Sequence, residues 1–240
     1  MKAKQQEKHQ ERKYAPEISQ KEIDELRESI KAASQKVMAE NIARMKKTSK
    51  YRPETMQYFD EVADFFGKRE REIRAAKEAG KKVIGYTCLF APTELILAAD
   101  AIPVRVNSGW YDTSKLGDRV VPVEVCPVVR STIGAQMIGL SPYLEMSDAL
   151  ISVLTCDGMT KMGEILSDYK TVWSMPLPRV KDSAQSMRFW REEIMTLKGQ
   201  IEALTGNKIT AKKLKAATKQ ELNDLESDIG NKLSSGPGSK

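Results

Sequence analysis

The stretch KKVIGYTCLFAPTELILAADAIPVRV, residues 81–106, decides how this chain is read. Val83-Ile84-Gly85-Tyr86-Thr87 is a short apolar run of the kind that forms a buried strand, predicted over 82–87. Pro92 and Glu94 open a helical segment over 92–100, because proline suits the first helical position and an acid suits the first turn. Ile102-Pro103-Val104-Arg105-Val106 supplies a second strand over 102–106. Strand, helix and strand in this order make the crossover unit from which parallel sheets are built.

Working outward, the same alternation continues. The sequence predicts a loop at 107–118, a strand at 119–125, a helix at 127–139, a strand at 149–155, a helix at 158–168 and a strand at 170–175. The fold class is therefore α/β, a Rossmann-like parallel sheet with flanking helices. Upstream, Ile23, Leu26, Ile30, Ala33, Val37 and Ile42 recur at helical spacing over 19–47, and Ser19 with Glu22 reads as a capping box. A second helix is predicted from Pro53 to Ala79, with Met56, Phe59, Val62, Ala63 and Phe66 on one face and Gly80 as its stop. Packing or dimerisation is the expected use of both. Downstream, Met187, Trp190, Ile194, Leu197, Ile201 and Leu204 mark a helix over 183–204 that Gly206 ends, and Thr210 caps another through about Leu225. This divides the chain into a frayed tail 1–18, an N-terminal helical region 19–80, an α/β domain 81–180, C-terminal helices 181–229 and a linker-like tail 230–240.

Charge follows the same division. Residues 81–180 hold 9 Lys+Arg against 10 Asp+Glu, whereas residues 1–80 hold 19 against 15 and residues 181–240 hold 11 against 8. A near-neutral core between solvated helices lacks the focused basic stripe of a nucleic-acid binder, so no nucleic-acid partner is expected. No apolar run approaches a membrane span, and the polar start Met1–Lys13 has no apolar leader segment. Three cysteines in such a chain argue against a disulfide framework and for a reducing, cytoplasmic setting.

Those three cysteines carry the chemistry. Cys88, Cys126 and Cys156 each end an apolar stretch predicted as a strand, and each is expected to lead straight into a helix, with Asp157 as the cap of the helix near Gly158. Carboxyl ends of strands are where open α/β sheets bind ligands. A thiol at a helix start faces the positive end of the helix dipole, which favours the thiolate that binds iron or zinc or attacks an electrophile. One cysteine in such a place is most often a packing residue. Three at one rim are better explained as ligands gathered from successive βα units, since spacings of 38 and 30 residues match neither a zinc ribbon nor a ferredoxin run. Other chemistries are excluded. There is no phosphate-binding G-x-x-x-x-G-K-[ST] and no G-x-G-x-x-G, and the single histidine, His9, lies in the polar tail, away from any core triad.

The motifs around the thiols resemble a known family. Gly85-Tyr86-Thr87-Cys88, Pro92-Thr93-Glu94-Leu95 and Ala98-Ala99-Asp100-Ala101-Ile102-Pro103-Val104 resemble the first βα unit of the 2-hydroxyacyl-CoA dehydratase and benzoyl-CoA reductase family, D-component type. Val125-Cys126-Pro127-Val128-Val129-Arg130-Ser131 is similar to its second cysteine motif. Thr155-Cys156-Asp157-Gly158-Met159-Thr160-Lys161-Met162 and Met175-Pro176-Leu177-Pro178 resemble one branch, the double-cubane iron–sulfur cluster reductases. The resemblance covers about residues 50–225. It implies one half of a two-lobed fold, with an iron–sulfur cluster of 4Fe-4S or double-cubane type held by Cys88, Cys126 and Cys156. It further implies a homo- or heterodimer, an ATP-hydrolysing iron–sulfur activator as electron donor, and an acyl-CoA or other small-molecule substrate. Family members continue with a second α/β half, so a fragment, a truncated product or one half of a split protein is the expectation.

Two rival readings follow. A non-catalytic, truncated paralogue would act as a structural or assembly partner. A thiol-dependent enzyme without metal would show one hyper-reactive cysteine. Ser108, Trp110 and Tyr111 are candidates for the substrate side, against the commoner outcome of a loop packed on its own core. Arg130 is a candidate for an acyl or phosphate group, against the commoner outcome of an ion pair.

Overall fold

The computed structural model describes residues 18–48 and 65–220. The expected tails, the stretch 53–64 of the second helix, His9 and the run beyond 220 lie outside the described residues.

Helix α1 spans Gln20–Thr48, and Ser19 Oγ accepts the Glu22 N–H at 3.2 Å, the N-terminal half of the capping box. Helix α2 spans Lys68–Glu78, and Gly80 at φ +96° turns the chain away from it. Strand β1 is Val83–Tyr86, α3 is Thr93–Ala98 and β2 is Ile102–Arg105. Next come α4 (Tyr111–Gly117), α5 (Pro127–Met137), α6 (Pro142–Met146), β3 (Ala149–Leu154), α7 (Asp157–Ser167) and β4 (Val172–Pro176). Helix α8 runs over Ala184–Thr205, Gly206 closes it in the left-handed conformation, and α9 covers 211–220.

All four strands are parallel, in the order β2-β1-β3-β4. From β1 the chain winds one way to β2, and from β3 it winds the other way to β4. Helices consequently cover both faces. Side chains alternate across the sheet. Val83 and Leu150 join the core beneath α1, α2 and α4–α7, whereas Ile84, Ile151 and Val153 join the core beneath α3, α8 and α9.

Three local expectations are corrected. Residues 119–125 are not a strand but a series of turns. Val120 and Val121 N–H both bond Gly117 O, Val125 N–H bonds Pro122 O, and Pro122 has no N–H to give a ladder. Of the valines there, only Val121 is buried, so the apolar run marks a loop laid on the surface. The loop at 107–118 contains α4, which crosses α5 with backbone nearly touching backbone. A Cβ at Gly117 would strike Arg130 O, and one at Gly134 would strike Thr113 O. Helix α6 was not expected; Ser141 caps it by accepting the Leu144 N–H at 3.3 Å.

Candidate functional site

β1 and β3 are hydrogen-bonded neighbours, with Tyr86 opposite Ile151 and Thr87 N–H bonded to Ile151 O at 3.2 Å. Cys88 and Cys156 therefore leave the sheet from adjacent strands, on either side of the point where the winding direction reverses. That crevice is the usual ligand position of an open α/β sheet.

Each thiol differs in detail from expectation. A turn follows Cys88, with Ala91 N–H on Cys88 O at 3.1 Å, and α3 begins only at Thr93 with Pro92 as its cap residue. Cys126 follows no strand; it is the cap residue of α5, directly before Pro127. Cys156, not Asp157, caps α7: its Sγ accepts the Met159 N–H at 3.5 Å, and Asp157 sits in the first turn. Two of the three cysteines thus stand at the cap position of a helix, only Cys156 bonding there through its sulfur, and two of the three follow strands.

Gly158 marks where the two helix starts meet. A Cβ there would lie 3.5 Å from Val129 Cγ2, 3.6 Å from Val125 Cγ1 and 3.9 Å from Cys156 Sγ. The starts of α5 and α7 are therefore side by side, at ordinary van der Waals spacing. Cys126 and Cys156 are exposed there, and Cys88 is half-buried. The neighbours of the first two, Val125, Val129 and Met159, pack on the α5–α7 layer, whereas Cys88 packs on the layer beneath α3 and α8. The thiols thus sit at the ends of two adjacent strands and at the start of α5, against two different core layers. Among the described residues no group of three or more His, Cys, Asp or Glu side chains is gathered to hold a metal ion. The donors suit an iron–sulfur cluster in chemistry, as free thiols, two of them at helix starts, but among the described residues they are not gathered into a three-ligand site.

An apolar collar flanks Cys88 and Cys126 along the chain. Leu89 and Phe90, 80% and 61% exposed, follow Cys88; Val123 and Val128 flank Cys126 and are also exposed. The other candidates have structural work. Arg130 donates from Nε to Val125 O at 2.9 Å and pairs with Asp118 at 2.5 Å, only 15% exposed, so it pins the loop before Cys126 and offers nothing to a ligand. Trp110 packs on Phe65 with ring centroids 5.3 Å apart, Tyr111 lies under Lys115, and Ser108 N–H bonds Thr132 Oγ1 at 2.9 Å. Sequence reasoning missed the buried hydroxyl chain Ser108–Ser131–Thr113, whose oxygens lie 2.8 and 2.7 Å apart.

A family model described as 2-hydroxyglutaryl-CoA dehydratase, D-component, matches residues 88–224, more than half of the chain and all three cysteines. The chain belongs to the 2-hydroxyglutaryl-CoA dehydratase D-component family. It is 34% identical over 142 residues to the Escherichia coli protein named "Putative dehydratase subunit YjiM", covering 59% of this chain and 37% of that one. It is 28% identical over 159 residues to a benzoyl-CoA reductase subunit of Thauera aromatica, covering 61% and 39%. It is 29% identical over 140 residues to the beta subunit of (R)-2-hydroxyglutaryl-CoA dehydratase of Acidaminococcus fermentans, covering 56% and 36%. The matched region spans less than two fifths of each of these relatives' length. No helix among the described residues is long and apolar enough to cross a membrane.

Proposed function

We propose that this chain is the cluster-binding component of a low-potential reductase or 2-hydroxyacyl-CoA dehydratase system. Cys88, Cys126 and Cys156 are the protein donors to an iron–sulfur cluster of 4Fe-4S or double-cubane type. One observation supports this above others: two cysteine-capped helix starts lie side by side at the winding reversal of the sheet. The cluster, when bound, supplies one-electron chemistry; the chain supplies position and burial. Cys126 and Cys156 meet it from the α5–α7 side and Cys88 from the other layer, and protein seated on the Leu89, Phe90, Val123 and Val128 collar completes the enclosure. An ATP-dependent iron–sulfur activator as electron donor and an acyl-CoA or other small-molecule substrate belong to the same proposal.

The open donor set also supports a second reading, a non-catalytic assembly partner. Anaerobic reconstitution of the full chain with ferrous iron and sulfide separates the two. Bound iron and sulfide with a brown chromophore, lost in Cys126→Ser and Cys156→Ser, is the expected result. A folded, colourless protein after reconstitution would overturn the first reading and leave the second.

A further inference from the structure

Two cavities meet at the amino edge of the sheet, the end opposite the thiols. One, of about 560 Å³, lies between the α3–β2 segment and α9, walled by Leu97, Ala98, Ile102, Ala216 and Ala217. The other, of about 260 Å³, is lined by Lys82, Thr205 and Asn207, and both include Lys81 and Asp100. The Lys81–Asp100 ion pair lines both, so a larger, more apolar groove and a smaller, polar one share a wall. The larger part falls within the volume of about 300–1,000 Å³ usual for small-molecule sites. It stays open because α9 turns Ala216 and Ala217 toward it, where larger side chains would fill the space.

Its charge is one-sided. Lys81 is neutralised by Asp100 at 2.8 Å, and Arg69 shares Glu72 at 3.5 Å. Lys82 and Lys213, which line the two parts, have no carboxylate partner among the described residues. Two ammonium groups without a carboxylate partner among the described residues, one in each part, complement beside an apolar wall one kind of molecule, an anionic head on an apolar chain. We propose that this groove binds a medium-chain amphipathic anion, its head at the lysine rim and its chain along Leu97 and Ile102. This site lies apart from the cysteines and does not depend on the cluster.

The full chain is titrated with 1-anilinonaphthalene-8-sulfonate, followed by displacement with decanoate, decyl phosphate, decanol and inorganic phosphate. The expected result is one saturable site from which both anionic decyl compounds displace the dye, with decanol and phosphate at least tenfold weaker. Comparison of decanoate with decyl phosphate tells a carboxylate head from a phosphate head. Ala216→Trp, at an exposed position, should weaken dye binding at least tenfold by filling the groove. Lys82→Glu combined with Lys213→Glu should do the same by reversing its charge, and it carries the test if Ala216→Trp loses its fold by circular dichroism. Lys215→Glu, outside the groove, should change nothing. Non-saturable binding, affinity indifferent to both groove variants, or a site that instead answers to Phe90→Ser at the thiol collar would each overturn the proposal.

Discussion

Ser152 on β3 is fully buried, and its hydroxyl has no hydrogen-bond partner among the described residues. A Cβ at Gly163 on α7 would lie 2.6 Å from Ser152 Oγ and 3.1 Å from Ser152 Cβ. Gly163 thus sets how closely α7 lies on the sheet, and α7 carries Cys156 at its start. Gly163→Ala should cost about 1–3 kcal/mol through overpacking. Ser152→Ala alone should be neutral or slightly stabilising, since it removes an unsatisfied hydroxyl. In the double variant the penalty should shrink without vanishing, because the β-carbon remains close. Urea denaturation of the four proteins measures this, and equal penalties in both backgrounds would remove Ser152 as the obstacle. Arg130 permits a second test. Arg130→Met loses the Asp118 pair and the bond to Val125 O, which should cost about 1–3 kcal/mol and raise the rate at which a thiol reagent modifies Cys126. Unchanged Cys126 reactivity would mean that the loop is held by other contacts. Cys88 and Cys156 were legible in the sequence as rare residues after readable strands, and Cys126 as one before a readable helix start. Asp118 as the partner of Arg130 was not, because a contact across a loop of turns has no periodicity.

At the scale of elements, the crossover unit at 81–106 was readable because burial on both faces leaves short apolar runs between turn residues. The same rule misread 119–125, where valines cover a loop and the backbone bonds go to Gly117 and Pro122. Helix α4 escaped notice because its signal is two small residues at a crossing, Gly117 and Gly134, which make contact and not pattern. The junction of α8 and α9 rests on one carboxylate. Glu202 accepts Lys198 Nζ at 2.8 Å and Ile209 N–H at 2.7 Å. The Lys198 ammonium first, and then the Ile209 amide, hold its pKa down from 4.5 to about 2. A carboxyl group whose pKa is lower folded than unfolded adds stability above the unfolded value and loses it as pH falls through the folded one. The α8–α9 junction should therefore loosen between about pH 4.5 and 2. Amide exchange over 209–220 should accelerate across that window in the wild type and already be fast at neutral pH in Glu202→Ala. A wild-type exchange rate free of any such acid step would remove Glu202 as the fastening.

For the whole molecule, the two ends of the sheet are built on opposite principles. The carboxyl end leaves two thiols and an apolar collar uncovered, and the amino end is stitched by charge. Asp148 accepts the Val83 N–H at 2.9 Å and pairs with Lys77 at 2.8 Å, joining α2, β1 and β3. Beside it, Lys170 donates to Glu145 O at 3.0 Å and to Ser147 O at 3.4 Å, tying the start of β4 to the end of α6. Burial is the largest influence on Lys170 and lowers its pKa. Nearby Lys77 acts the same way, and Glu145 and Asp148 oppose it without prevailing. An amine whose pKa is lower folded than unfolded binds more protons when unfolded, across the window from its folded value up to 10.5. Stability from this group therefore rises with pH through that window. The absolute curve sums every ionising group of the chain, so it is not the test. The difference between wild type and Lys170→Met is, because the other groups are common to both. That difference, from urea denaturation at successive pH values between 7 and 10.5, should move in favour of the wild type as pH climbs. A flat difference would mean that the lysine is as well solvated folded as unfolded, and that the amino edge is fastened by Lys77 and Asp148 alone.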